Sequence, residues 1–181
     1  VGKYLLSNVS NAEGSVADTL DEFRSDGFGL GADSTALVNY QNNTYVAWNW
    51  KANGGTTTTN DASATSVGAT DSVIQANTTA GFSIVTYTGT GSATTFAHGL
   101  GGVPEVMIIK NRTGGSHGWS GFYHHLMAGT AAASATDYLT LNGTGALVDD
   151  NTIWNDTPPT STVFTVGTAA NTGASKDYVG Y

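Results

Sequence analysis

The sequence predicts an all-β chain folded as an antiparallel β-sandwich, jelly-roll or lectin-like in kind, and three observations carry that prediction. Charged residues make up 11% of the 181 positions, against roughly 25% in ordinary soluble domains, so there is too little Lys, Glu and Arg to wet the outer faces of helices. Gly, Thr, Ser, Asn and Ala take their place: Thr suits a pleated, half-exposed strand, and Gly and Asn suit the turns between strands. Several runs also alternate along the chain with period two, the mark of a strand.

Taken in order, Tyr4-Leu5-Leu6-Ser7-Asn8 reads as a strand, and Val16 to Phe23 as at most a turn or two of helix with Asp18, Asp21 and Glu22 outward. In Thr44 to Trp50 the residues Val46, Trp48 and Trp50 share one face of an expected strand, which places Trp48 in a core. Residues 53–80 open with Asn53-Gly54-Gly55 and four threonines and hold no aromatic residue, so they read as a linker or a long surface excursion. Alternation resumes over Gly81 to Tyr87, a turn follows at Gly89 to Gly91, and Thr94 to His98 is the next strand. Pro104 lies just ahead of Val106-Met107-Ile108-Ile109, where a missing N–H costs a sheet least; that run is expected to be buried on both faces. Trp119 to Leu126 is an aromatic-rich strand, followed by an alanine-rich loop over Ala128 to Ala135.

An internal repeat orders these pieces. Tyr138-Leu139-Thr140-Leu141-Asn142 echoes Tyr4 to Asn8, Val163 to Gly167 echoes Gly27 to Gly31, and Asp177 to Tyr181 echoes Thr44 to Trp48, in the same order and at nearly one spacing. The expected organisation is residues 1–52 as the C-terminal half of a first sandwich repeat, 53–80 as the connecting segment and 81–181 as a second repeat. The missing first half is expected upstream of Val1, and the chain, which begins without Met or a signal-peptide pattern, is expected to be cut from something longer.

Composition also excludes functions. With no cysteine, disulfides and thiolate metal sites are ruled out. The net charge of −8 and six scattered basic residues leave no cluster able to displace counterions, which argues against nucleic acid and anionic membranes; Lys110 and Arg112 are the nearest approach to one. No stretch approaches the ~20 apolar residues of a membrane span.

Candidate chemistry is thin. His124 and His125 would face opposite sides of a strand, and neither pairs in spacing with His98 or His117 as zinc requires, so no metal site is expected; His98 is expected to serve as a structural hydrogen-bonding group. Asp149-Asp150-Asn151 and Asp18, Asp21 and Glu22 offer oxygen atoms but lack calcium-loop spacing, and turn chemistry explains them better. Glu13 and Glu105 have no partner carboxylate in a strand pattern, and Gly99-Leu100-Gly101-Gly102 precedes a strand, not a helix, so no catalytic residue and no cofactor is expected. Among Trp48, Trp50, Trp119, Phe122, Tyr123 and Trp154, the pair Trp119 and Tyr123 stands beside a glycine-containing loop and is the candidate platform for a sugar ring, with burial in a core or subunit interface the stronger reading.

The string Ala80 to Gly91, then Phe96-Ala97-His98-Gly99-Leu100-Gly101 with Pro104, then Val106 to Asn111, and later Trp154-Asn155-Asp156-Thr157-Pro158-Pro159, resembles repeated modules in large structural proteins of marine tailed bacteriophages. The resemblance spans essentially the whole chain. It implies a concanavalin A-like or laminin-G-like sandwich in a tail fibre, spike or decoration protein on the virion surface. Low charge with abundant Thr and Gly fits close packing of identical subunits, a trimer among the possible orders, beside other virion proteins. The expected role is structural and adhesive, with loops at one end meeting a host-surface polysaccharide. The alternatives are a capsid-surface or neck protein that recognises nothing, a secreted carbohydrate-active enzyme and a cellular adhesin.

Overall fold

The computed structural model describes residues 2–52, 56–123 and 137–181, apart from the Phe122 and Tyr123 side chains. The chain is all-β and divides into two compact units: residues 1–6 with 13–49, and residues 7–12 with 50–181.

The first unit holds two short antiparallel pairs, β1 (Lys3–Tyr4) with β2 (Gly14–Ser15) and β3 (Leu20–Phe23) with β4 (Phe28–Leu30). The helical turn expected over Val16 to Phe23 is absent. The stripe Val16, Leu20 and Phe23 that a helix would bury finds no full cover, Phe23 being 72% exposed, while β3 gains ladder bonds to β4. A polar knot stands in for a large core. Asp33, fully buried at a left-handed φ of 48°, accepts hydrogen bonds from Val38 N (2.5 Å), Asn39 N (2.7 Å) and Thr35 Oγ1 (2.8 Å). Burial alone would raise its pKa; the donated hydrogen bonds outweigh that and hold it down at about 2. Residues 44–50 form no strand, and Trp48 is 72% exposed where a core position was expected. Alternation marks a segment that could be a strand, but a strand exists only where a neighbour takes up its backbone groups.

The second unit is a sandwich. Its large sheet is antiparallel throughout and contains β5 (Thr58–Asn60), β6 (Ser72–Asn77), β7 (Phe82–Thr88), β9 (Val106–Asn111), β10 (Ser120–Tyr123), β11 (Asp137–Thr140), β12 (Val148–Asp149) and β14 (Asp177–Gly180). They lie in the order β12-β11-β10-β9-β14-β7-β6-β5. The opposing layer is the antiparallel pair β8 (Thr94–Ala97) and β13 (Val163–Val166). Between the layers Val85 and Tyr87 of β7, Met107 and Ile109 of β9 and Tyr178 of β14 meet Phe96, Phe164 and Val166. Ile153 and Trp154, from a helical turn α2 (Asn151–Trp154), close one side. Tyr87 is the hub: its ring centroid lies 4.1 Å from that of Phe96, 5.1 Å from Tyr178 and 5.7 Å, edge-on, from Phe164. Its buried hydroxyl donates to Thr172 O at 2.8 Å.

Two expectations change here. Residues 58–77, expected as linker, supply two strands of the large sheet and a turn α1 (Ala62–Thr65) capped by Asp61. Val73 and Ile74 are strong strand formers, and an absence of aromatics is no obstacle on an edge. Residues 7–12 also belong with the second unit. Their tether is Lys110, fully buried on β9, whose ammonium donates to the carbonyls of Ser10 (2.8 Å) and His117 (2.6 Å). Burial lowers its pKa. The run Val106 to Ile109 is central in the sheet, yet only Met107 and Ile109 are buried; Ile108 is half-buried and Val106 half-exposed. The strand expected over Trp119 to Leu126 is seen as Ser120–Tyr123; its last three residues and the Ala128 to Ala135 loop lie outside the described residues.

Candidate functional site

One end of the second unit carries a groove of about 620 Å³, within the usual range of ligand sites. Its position follows from the topology. After β8 the chain turns sharply at Gly99 and Gly101, both with positive φ, and passes Pro104 into β9, so the 99–105 loop stands at the mouth. Gly99 is tightly fitted as well, because a Cβ there would press on the Ile74 side chain.

Val85, Met107, Ile109 and Phe164 form the buried floor, continuous with the core. The rim is exposed and apolar. Trp50 stacks on Phe82 at 6.2 Å between centroids, and Tyr181, the far wall, stacks on Trp119 at 6.4 Å. Val103 and Val106 are each at least half exposed beside them.

Of the polar residues lining the groove, Thr78, Ser83, His98 and Glu105, the serine and the histidine are committed to its framework. Leu100 N donates to His98 Nδ1 (3.2 Å), which leaves the proton on Nε2, facing Thr160 O at 3.1 Å. Ser83 Oγ donates to the His98 carbonyl at 2.6 Å. Burial of the ring lowers the His98 pKa, and the Thr160 carbonyl opposes this only in part. His98 therefore acts as the hydrogen-bonding clamp expected of it, a neutral imidazole pinning the 98–100 turn to the Thr160 turn. Serine and histidine are thus engaged in holding the turns that shape the groove.

The candidate sugar platform fares differently. Trp119 is 6% exposed, its backbone N–H bonded to Asn142 Oδ1 and its ring stacked on Tyr181, so it supports the groove's wall from behind. Tyr123 contributes backbone to β10, and its side chain lies outside the described residues, as do His124 and His125. Trp154 is core. The aromatic residues that frame the groove, Trp50, Phe82 and Tyr181, come from three distant parts of the sequence. The available signal was Trp50 itself, together with the glycine-rich turn placed just ahead of an apolar run.

Among the described residues no group of three or more His, Asp or Glu is arranged to hold a metal ion. The carboxylates weighed for calcium have local duties. Asp150 caps α2 through Thr152 N and Oγ1, Asp18 accepts from Ser34 N, and Glu22 pairs with Arg24. Among the described residues no helix is long and apolar enough to cross a membrane.

Compared with known families, residues 1–181 match the model of a domain of unknown function, DUF7483. No curated protein and no solved structure matches the chain.

Proposed function

The chain belongs to the DUF7483 family, and we propose that it is a structural and adhesive module of a virion fibre, spike or surface protein, performing no catalysis. The observation that carries the reading is the groove framed by Trp50, Phe82 and Tyr181 at one end of the sandwich, where Ser83 and His98 are occupied in holding its shape. Such a surface recognises through aromatic faces, the physics by which proteins hold sugar rings. The resemblance to repeated modules of phage structural proteins supports the particle, and a host-surface polysaccharide is the proposed ligand. Identical subunits packed side by side would supply the avidity that a shallow groove lacks.

The test is a glycan array probed with the intact chain. Binding to one polysaccharide class is expected, weakened about three- to tenfold by Trp50→Ala, the loss of one aromatic contact. An array with no signal would refute the adhesive role. A second reading has its own observation: Val103 and Val106 are exposed and aliphatic, which suits a protein neighbour better than a sugar. On that reading the groove docks another subunit of a capsid-surface or neck assembly, and electron microscopy of labelled virions distinguishes the two by position.

A further inference from the structure

The first unit repeats several backbone bonds of the closing part of the second. The β1–β2 pair sets Lys3 against Ser15 and Tyr4 against Gly14; the β11–β12 pair sets Asp137 against Asp149 and Tyr138 against Val148, the same register carried along the chain. Farther on, Gly31 N donates to Thr19 O (2.7 Å) as Gly167 N does to Ile153 O (2.8 Å). Asp33 N donates to Asp18 O and Ala169 N to Thr152 O, both at 2.9 Å. Ala36 N donates to Asp33 O and Thr172 N to Ala169 O, both at 3.1 Å. Even the close approach recurs: a Cβ on Gly31 would strike the carbonyl of Asp18, and one on Gly167 that of Thr152. Two long-range bonds, one turn bond and a forbidden side chain in one order mark a shared local fold.

In the second unit the next strand after this part is β14. Tyr178 and Val179 are buried there, ladder-bonded to β7 on one side and β9 on the other. Their counterparts in the repeat, Tyr45 and Val46, lie outside any strand and are 48% and 80% exposed. Likewise β13 pairs with β8, whereas its counterpart β4 pairs only with the local β3 among the described strands. Among the described residues the first unit has four strands, none equivalent to β7, β8 or β9.

We infer that Tyr45–Trp48 is a docking strand, and that the first unit takes up a polypeptide segment with the chemistry of residues 72–111. Strands like β7 and β9 would flank Tyr45–Trp48 by antiparallel addition, and one like β8 would lie along β4. The occupant is named by the repeat: the same half-module in the second unit is filled by those strands. This inference stands independently of the adhesive reading.

The experiment adds a second copy of residues 56–134 directly before Val1 of the full chain, which reproduces the spacing at which residue 135 follows in the second unit. Hydrogen exchange of Tyr45, Val46 and Ala47 amides is then compared with the unextended chain, β14 amides serving as an internal standard. A rise in protection of at least about 100-fold is expected. Val46→Asp supplies a second reading: it is expected to leave the melting temperature of the unextended chain unchanged and to lower that of the extended chain by several degrees. Unchanged exchange at 45–47 in the extended chain, or a Val46→Asp substitution harmless in both, overturns the inference. So does concentration-dependent protection of these amides in the unextended chain, because residues 72–111 of a folded second copy are already paired in its own sandwich and the contact would be of another kind.

Discussion

His98 shows how one residue sets the chemistry of this groove. Its ring is buried with Nδ1 accepting from Leu100 N, so the imidazolium, which would place a proton on that nitrogen, is disfavoured. The folded pKa lies below the ordinary 6.5, and the unfolded chain therefore binds the proton first as pH falls. Stability of the second unit is full above pH 6.5 and declines below it toward the folded pKa, by at most about 1.4 kcal/mol per pH unit for one proton. Melting curves from pH 7.5 to 5 should show this decline, and His98→Asn should be less stable at pH 7.5 but flatter across the range. A variant profile as steep as the parent's would exclude His98 as the cause. At this scale the sequence was legible where a residue's role is local: His98 before a glycine turn reads as a clamp, and Asp150 reads as turn chemistry, which the structure makes a cap on α2. Trp119 was not legible, because a tryptophan beside a glycine loop looks the same whether its face meets water or Tyr181.

Among the elements, β9 gives the sharpest contrast. It lies between β10 and β14, yet Ile109 is 1% exposed and Val106 50% exposed on the same strand. Truncating Ile109 to Ala should cost about 2–5 kcal/mol, through lost burial and the cavity left beneath Phe164 and Val85. Val106→Ala, at the rim of the groove, should cost well under 1 kcal/mol. Denaturant midpoints measure both, and similar losses at the two positions would contradict the placement of the core. The strands over 82–88, 94–97 and 106–111 were readable from alternation, from glycine turns and from the apolar run behind Pro104, while that over 163–166 showed only as an echo of Gly27 to Gly31. The strands over 58–60 and 72–77 were not. Their Thr and Ser residues give no periodic signal, and their stability comes from pairing with β7 and with each other.

For the whole molecule, the two units rest on different foundations. The second has an aromatic core; the first is organised around the Asp33 carboxylate and its three donors. With its folded pKa at about 2 and the ordinary value at 3.8, Asp33 contributes stability that is present above pH 3.8 and lost as pH falls through about 2. The Val38 and Asn39 amides should accordingly lose exchange protection between pH 4 and 2, and Asp33→Asn should show that loss already at pH 7. Full protection in the variant would remove Asp33 as the organiser. The sequence by itself determined the all-β class, the absence of cysteine chemistry and the glycine turns, since composition, periodicity and glycine placement act over a few neighbouring residues. Only the tertiary structure decided that residues 7–12 and 58–77 join the large sandwich unit, that Trp119 is covered while Trp50 is open, and that Tyr178 is sheathed where Tyr45 is bare. Each of these depends on which distant backbone lies alongside, and pairing between strands far apart in sequence leaves no local imprint on either of them.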